Sequence, residues 1–150
     1  MTQESNLQEE LRKLSVELRL LEQTAETYQS RLNMMNAALT DLTYANMTLE
    51  GVEKEKEKAE LLVPIGGGSY IKVKLGNPDK IVVGMGSGVS VEKSLGEAKS
   101  VIKERLEGLE KGRLSVQQQS AQVADRINKD RRRMDRLVAS LREGNAPSNV

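Results

Sequence analysis

Apolar positions recur at alternating steps of four and three along two long stretches of the chain. From Leu7 the first seam runs through Leu11, Leu14, Leu18, Leu21, Ala25, Tyr28, Leu32, Met35, Leu39, Leu42 and Leu49, with Asn46 its one polar member. A second seam keeps the same steps from Leu95 through Ile102, Leu106, Leu109, Val116, Val123, Ile127, Met134, Leu137 and Leu141, with polar breaks at Lys99, Arg113, Ser120 and Asp130. Such a heptad repeat is the signature of a coiled coil. Neither seam contains proline, and Leu, Glu, Lys, Gln and Arg dominate both, so helix propensity agrees with periodicity. At ~1.5 Å per residue the helices would run on the order of 60 and 70 Å, matched lengths that predict antiparallel pairing. Aligning the ends sets Leu7 by Leu141, Leu11 by Leu137, Leu14 by Met134, Leu21 by Ile127 and Leu42 by Leu106. Two layers are then weak, Leu18 against Asp130 and Met35 against Arg113.

Between Ala59 and Ser90 the pattern changes to four short apolar runs separated by turn residues. Leu61 to Ile65 leads into Gly66, Gly67 and Gly68; Tyr70 to Leu75 alternates with Lys72 and Lys74 before Gly76, Asn77, Pro78 and Asp79; Ile81 to Val83 precedes Gly84, Gly86 and Gly88; Val89 to Val91 follows. Four short apolar runs separated by turn chemistry predict two successive β-hairpins. The expected class is α+β: a coiled-coil helix over 1–58, hairpins over 59–91, a second coiled-coil helix over 92–143 and a disordered tail over 144–150. Within the first helix, Glu53 to Lys58 alternates acid and base and reads as a solvated extension past the seam.

Four short strands barely bury one face and leave open edges, so something must cover them. The expected cover is another subunit, added through residues 59 to 91 to a shared sheet or barrel. Leu62, Val63, Ile65, Tyr70, Ile71, Val73, Ile81, Val82, Val83, Val89 and Val91 are the expected contacts. At the opposite extreme, where the two helix ends meet, Val16 and Leu20 lie off the seam and Val138 sits beside Leu137. Such surplus apolar surface is a candidate contact with other chains, against the plain alternative that singly exposed aliphatics are normal on a soluble protein. The candidate set is Leu7, Leu11, Leu14, Val16, Leu20, Leu137, Val138 and Leu141.

Composition narrows the chemistry. The 150 residues include no Phe or Trp, three Tyr and 30% charged side chains, too few bulky groups for an ordinary compact core. Absent cysteine removes disulfides, thiolate zinc sites and thiol nucleophiles; absent histidine removes the commonest general base and metal ligand. No enzyme, cofactor or metal site is expected. With 23 basic and 22 acidic residues, no long-range field draws the protein to nucleic acid or an anionic membrane. No apolar run reaches the roughly 20 residues of a membrane span, and a cytoplasmic protein is expected.

The remaining motifs read as structure. Gly84, Gly86 and Gly88 lack the third glycine of a dinucleotide loop, since position 89 is Val89, and no Gly-Lys-Ser/Thr ending follows. Ser69 and Ser87 have neither the glycine bracket of a nucleophile elbow nor a histidine to activate them. The basic run Lys129, Arg131, Arg132, Arg133 and Arg136 is interleaved with Asp130 and Asp135, which fits a salt-bridged helix face better than a nucleic-acid groove.

Helix, two hairpins and helix in this order resemble the α-type subunit of the prefoldin family in its archaeal form, over nearly the whole chain. The insert carries the likeness: Leu62, Val63 and Pro64 before a glycine turn, Tyr70, the Asp79 to Val83 strand entry, then Gly86, Gly88, Val91, Glu92, Lys93 and Ala98. Val89 and Ser90 depart from it where family members often place an aromatic. The resemblance implies a hetero-hexamer of two α-type and four β-type subunits, with the hairpins forming a double β-barrel from which six coiled-coil arms hang. It also implies holding of unfolded proteins at the arm tips and their delivery to a group II chaperonin, without ATP hydrolysis. The competing reading is a coiled-coil scaffold that spaces other modules and has no client surface.

Overall fold

The structure is a computed structural model that describes residues 2–144. Helix α1 spans Gln3–Glu53. Strands β1 (Glu60–Gly66) and β2 (Ser69–Lys74) form one antiparallel hairpin, and β3 (Ile81–Gly86) and β4 (Val89–Lys93) a second; α2 runs Leu95–Gly144. The expected α+β arrangement of two long helices around two hairpins is therefore adopted. The chain divides into two compact units, one made by residues up to Met35 with those from Gly112 onward, the other by Asn36–Lys111.

In the first unit every residue of both seams is buried or half-buried, with Leu14, Leu18, Val116, Ile127, Asp130 and Leu137 the most enclosed. Three ion pairs cross between the helices: Glu10 with Arg133, Glu17 with Arg126 at 2.5 Å and Glu22 with Arg131 at 3.0 Å. Position falls on α2 as it rises on α1 from Glu10 to Glu17, so the helices are antiparallel. All six residues occupy heptad positions next to the seam in the alignment that sets Leu14 by Met134, where interhelical charges pair. A slip of one heptad would part all three. Gly112 adds a steric marker, since the Cε atom of Met35 lies 3.0 Å from where a Cβ would stand.

In the second unit Leu49 of α1, Val83 of β3 and Ala98 and Ile102 of α2 form the buried cluster, wrapped by Leu42, Ala45, Ile81, Leu95, Val101 and Leu106. Ala98 is fully enclosed because a methyl is all the space beneath the strand admits. Arg105 of α2 donates to the Gly84 carbonyl at 2.7 Å and so ties the same strand to the helix.

The hairpins share one device. Each closes through a two-residue turn with both central residues at positive φ, Gly67–Gly68 (58° and 74°) and Ser87–Gly88 (53° and 76°), the twist that suits antiparallel strands. The ladder slips one residue before each turn, between Pro64 and Gly66 and between Gly84 and Gly86, where Gly66 and Gly86 also have positive φ.

Three boundaries differ from the sequence expectation. Helix α1 stops at Glu53, not at residue 58, because the seam has become charged and exposed ion pairs alone do not hold a helix end in water. Glu53 turns instead to Lys99 at 2.6 Å, which raises the pKa of that lysine above its ordinary value. Lys58 then takes a left-handed φ of 71° and donates its N–H to the Leu75 carbonyl, opening the first hairpin. Helix α2 starts at Leu95, not 92, because Glu92 and Lys93 pair with Val82 and Ile81 in the sheet. Gly144 belongs to α2, and the rest of the expected tail lies outside the described residues.

The start of α2 is capped twice. The Ser94 hydroxyl accepts the Glu97 N–H at 3.2 Å, and Asp79, itself bound at its N–H by the Asn77 side chain, accepts the Leu95 N–H at 3.1 Å. Ser94→Ala should cost about 1 kcal/mol of stability in urea unfolding followed by circular dichroism. Asp79→Ala should additionally speed hydrogen exchange at the Leu95 amide, which Ser94→Ala leaves bonded.

Candidate functional site

The first candidate surface lies in the unit where the start of α1 runs beside the end of α2. Of the eight candidate contacts there, Val16 is 55% exposed and Leu20 58%, one helical turn apart on the same face. Leu14 and Leu137 are buried at 6% and 8%, because each is a seam residue packed against the other helix. Leu7, Leu11, Val138 and Leu141 are half-buried. The surface available on the closed coil is therefore narrower than the sequence suggested, and Val16 and Leu20 are its centre.

The second surface is on the hairpins. Directly opposed residues project from the same face, so Leu61 with Val73 and Val63 with Ile71 make one apolar face of the first hairpin. Val63 and Ile71 are 44% and 50% exposed on it, while Leu62 and Tyr70 are exposed on the other face. Ile65, Val82, Val89 and Val91 are exposed as well. Val83 is not, since it is 5% exposed in the cluster with Leu49, Ala98 and Ile102, and Ile81 packs beside it. These two expected subunit contacts hold the hairpin to its own helices instead; Val73 is half-buried. Among the described residues neither two-stranded sheet is joined by a third strand.

The basic run on α2 is largely neutralised. Arg131 and Arg133 hold Glu22 and Glu10, and Lys129 holds Asp125 at 3.1 Å. Arg126 bridges Glu17 and Asp130, and Glu17 first and Asp130 second raise its pKa further. Asp130 is 6% exposed, with Oδ1 3.4 Å from the Arg126 Nε and Oδ2 buried without a hydrogen-bond partner. Among the described residues no group of three or more His, Cys, Asp or Glu is arranged to hold a metal ion, and no helix is long and apolar enough to cross a membrane.

Sequence reasoning passed over Met34, Tyr44, Met47 and Leu114, all exposed. Their signal was available, since each falls off the seam of a helix whose seam is otherwise complete.

Residues 21–140 match the family described as Prefoldin subunit. The chain belongs to the prefoldin family. It is 35% identical over 119 residues to prefoldin subunit alpha of Pyrococcus horikoshii, covering 79% of this chain and 80% of that one. With prefoldin subunit alpha of Methanococcoides burtonii it shares 31% over 142 residues, 93% of this chain and 95% of the other. Among solved structures, filamentous PFD from Methanocaldococcus jannaschii, seen by electron cryomicroscopy, is similar at a TM-score of 0.64 and 25% identity, over 75% of this chain and 93% of that one. Prefoldin membership makes this a chaperone subunit that assembles with other prefoldin subunits.

Proposed function

We infer that the chain is the α-type subunit of a prefoldin complex, two α-type with four β-type subunits, that holds non-native proteins at the arm tips without ATP and passes them to a group II chaperonin. The observation that carries this reading is the pair Val16 and Leu20, more than half exposed on a coil whose seam is closed beneath them. Each presents a small apolar contact; several arms acting together would make weak contacts add through multivalency. A pure spacer has no use for this patch.

Refolding of a chemically denatured protein, followed by light scattering with the assembled complex present, tests the reading. The intact complex should suppress aggregation, and Val16→Ser with Leu20→Ser should remove most of that suppression while the complex keeps its mass. Full suppression by the double variant would shift the site elsewhere. No suppression by the intact complex would favour the scaffold. The likeness to filamentous PFD supports an open-ended array as a second mode of assembly, which native mass spectrometry separates from a closed hexamer.

A further inference from the structure

The charge around the exposed apolar pair is one-sided, although the chain as a whole is balanced. On α1, Glu10, Glu17 and Glu22 each engage an arginine of α2, while Glu4 and Glu9 are exposed. The bases stay outside. Arg12, Lys13 and Arg19 are exposed, and Arg12 at four residues and Lys13 and Arg19 at three residues from Val16 are its neighbours on the helix surface. Arg12, Lys13 and Val16, with Glu9, line a shallow depression of about 380 Å³. Glu9 is the one acid there, and its pair with Lys13 at 3.6 Å is open to water on both sides. Arg12 and Arg19 form no ion pair with a described residue.

We propose that this end of α1 selects unfolded segments in which an apolar run is flanked by acidic residues, the run covering Val16 and Leu20 and the acids facing Arg12 and Arg19. The proposal rests on the holding reading above and names the class of segment preferred. A neutral apolar run is held as well, but an acid-flanked one associates faster and leaves more slowly, because complementary charge adds to both. A lysine-flanked run meets like charge. The preference is a surface effect that salt screens.

Fluorescence anisotropy with two labelled peptides sharing one apolar core, one flanked by aspartates and the other by lysines, tests it on the assembled complex. The acidic peptide should bind about five-fold tighter at low salt, with the gap closing toward 1 M sodium chloride. Arg12→Gln with Arg19→Gln should abolish the preference, and Arg12→Glu with Arg19→Glu should reverse it, in complexes of unchanged mass. Equal affinity of the two peptides at low salt, or a preference untouched by both arginine variants, overturns the proposal and leaves apolar holding in place. Failure of the complex to bind either peptide overturns both.

Discussion

Val63→Glu combined with Ile71→Glu should abolish assembly with other prefoldin subunits. The two side chains oppose each other on one face of the first hairpin and remain about half exposed in the isolated chain. Covering the exposed half of each in a subunit interface would contribute roughly 0.7–1.5 kcal/mol, given that full burial of such side chains is worth about 1.5–3 kcal/mol. Placing a carboxylate in the same dry interface costs several kcal/mol more unless a cation meets it. The double change should thus weaken each interface by four orders of magnitude or more, since ~1.4 kcal/mol is a factor of ten. Sedimentation velocity at micromolar concentration should show free subunits, and circular dichroism should show both helices intact, because neither residue joins the Leu49, Val83, Ala98 and Ile102 cluster. A complex of full mass from the double variant would mean that the opposite face, with Leu62 and Tyr70, or the strand edges carry assembly.

Val83 provides the contrast that explains what the sequence could and could not reveal. The short apolar run Ile81 to Val83 before the glycines marked a strand, but such a run does not say which face meets the chain's own helices. The answer depends on Ala98, whose methyl leaves room for Val83, and on Arg105, whose guanidinium reaches the Gly84 carbonyl. Those contacts join residues far apart in sequence. The helical seams were legible throughout because a heptad is a local pattern: each residue from Leu7 to Leu49 and from Leu95 to Leu141 on those seams is shielded, including the polar breaks. The register was legible only to within a heptad, since two long seams with marked ends align in few ways, and the pairs of Glu10, Glu17 and Glu22 with α2 distinguish among them. The tip was only half legible. Leucines on a seam and valines off it look alike in composition, and burial separates Leu14 from Val16 only once the partner helix is in place. Charge asymmetry was invisible in a net charge of +1, because it arises from which residues pair across the helices.

Asp130→Leu should raise the thermal stability of the coil. The carboxylate stands in the seam in the layer of Leu18, 6% exposed, where nearly every neighbouring layer is apolar. Arg126 reaches Oδ1 only at 3.4 Å and gives its closer contact to Glu17, and Oδ2 has no partner. A buried acceptor left unsatisfied costs about 1–3 kcal/mol, more when charged, and replacing a poorly compensated buried charge by a packed apolar side chain stabilises by about 1–4 kcal/mol. Leucine at this position would meet Leu18 as an ordinary seam pair. At roughly 2–4 °C per kcal/mol for a chain of this size, the midpoint of helix melting should rise by several degrees. Asp130→Asn is the control for shape: it removes the charge but keeps a polar group in the layer, so it should gain less than leucine. The Glu17 pair with Arg126 remains in either variant, which confines the difference to the seam. A midpoint lowered by leucine would show that Asp130 supports the coil through Arg126 more than its own burial costs. A raised midpoint with weakened suppression of aggregation would have a different meaning. The buried acid would then be a soft layer that keeps the two helices near Val16 and Leu20 able to part, so that the half-buried Leu7, Leu11, Val138 and Leu141 join the exposed pair when a client arrives.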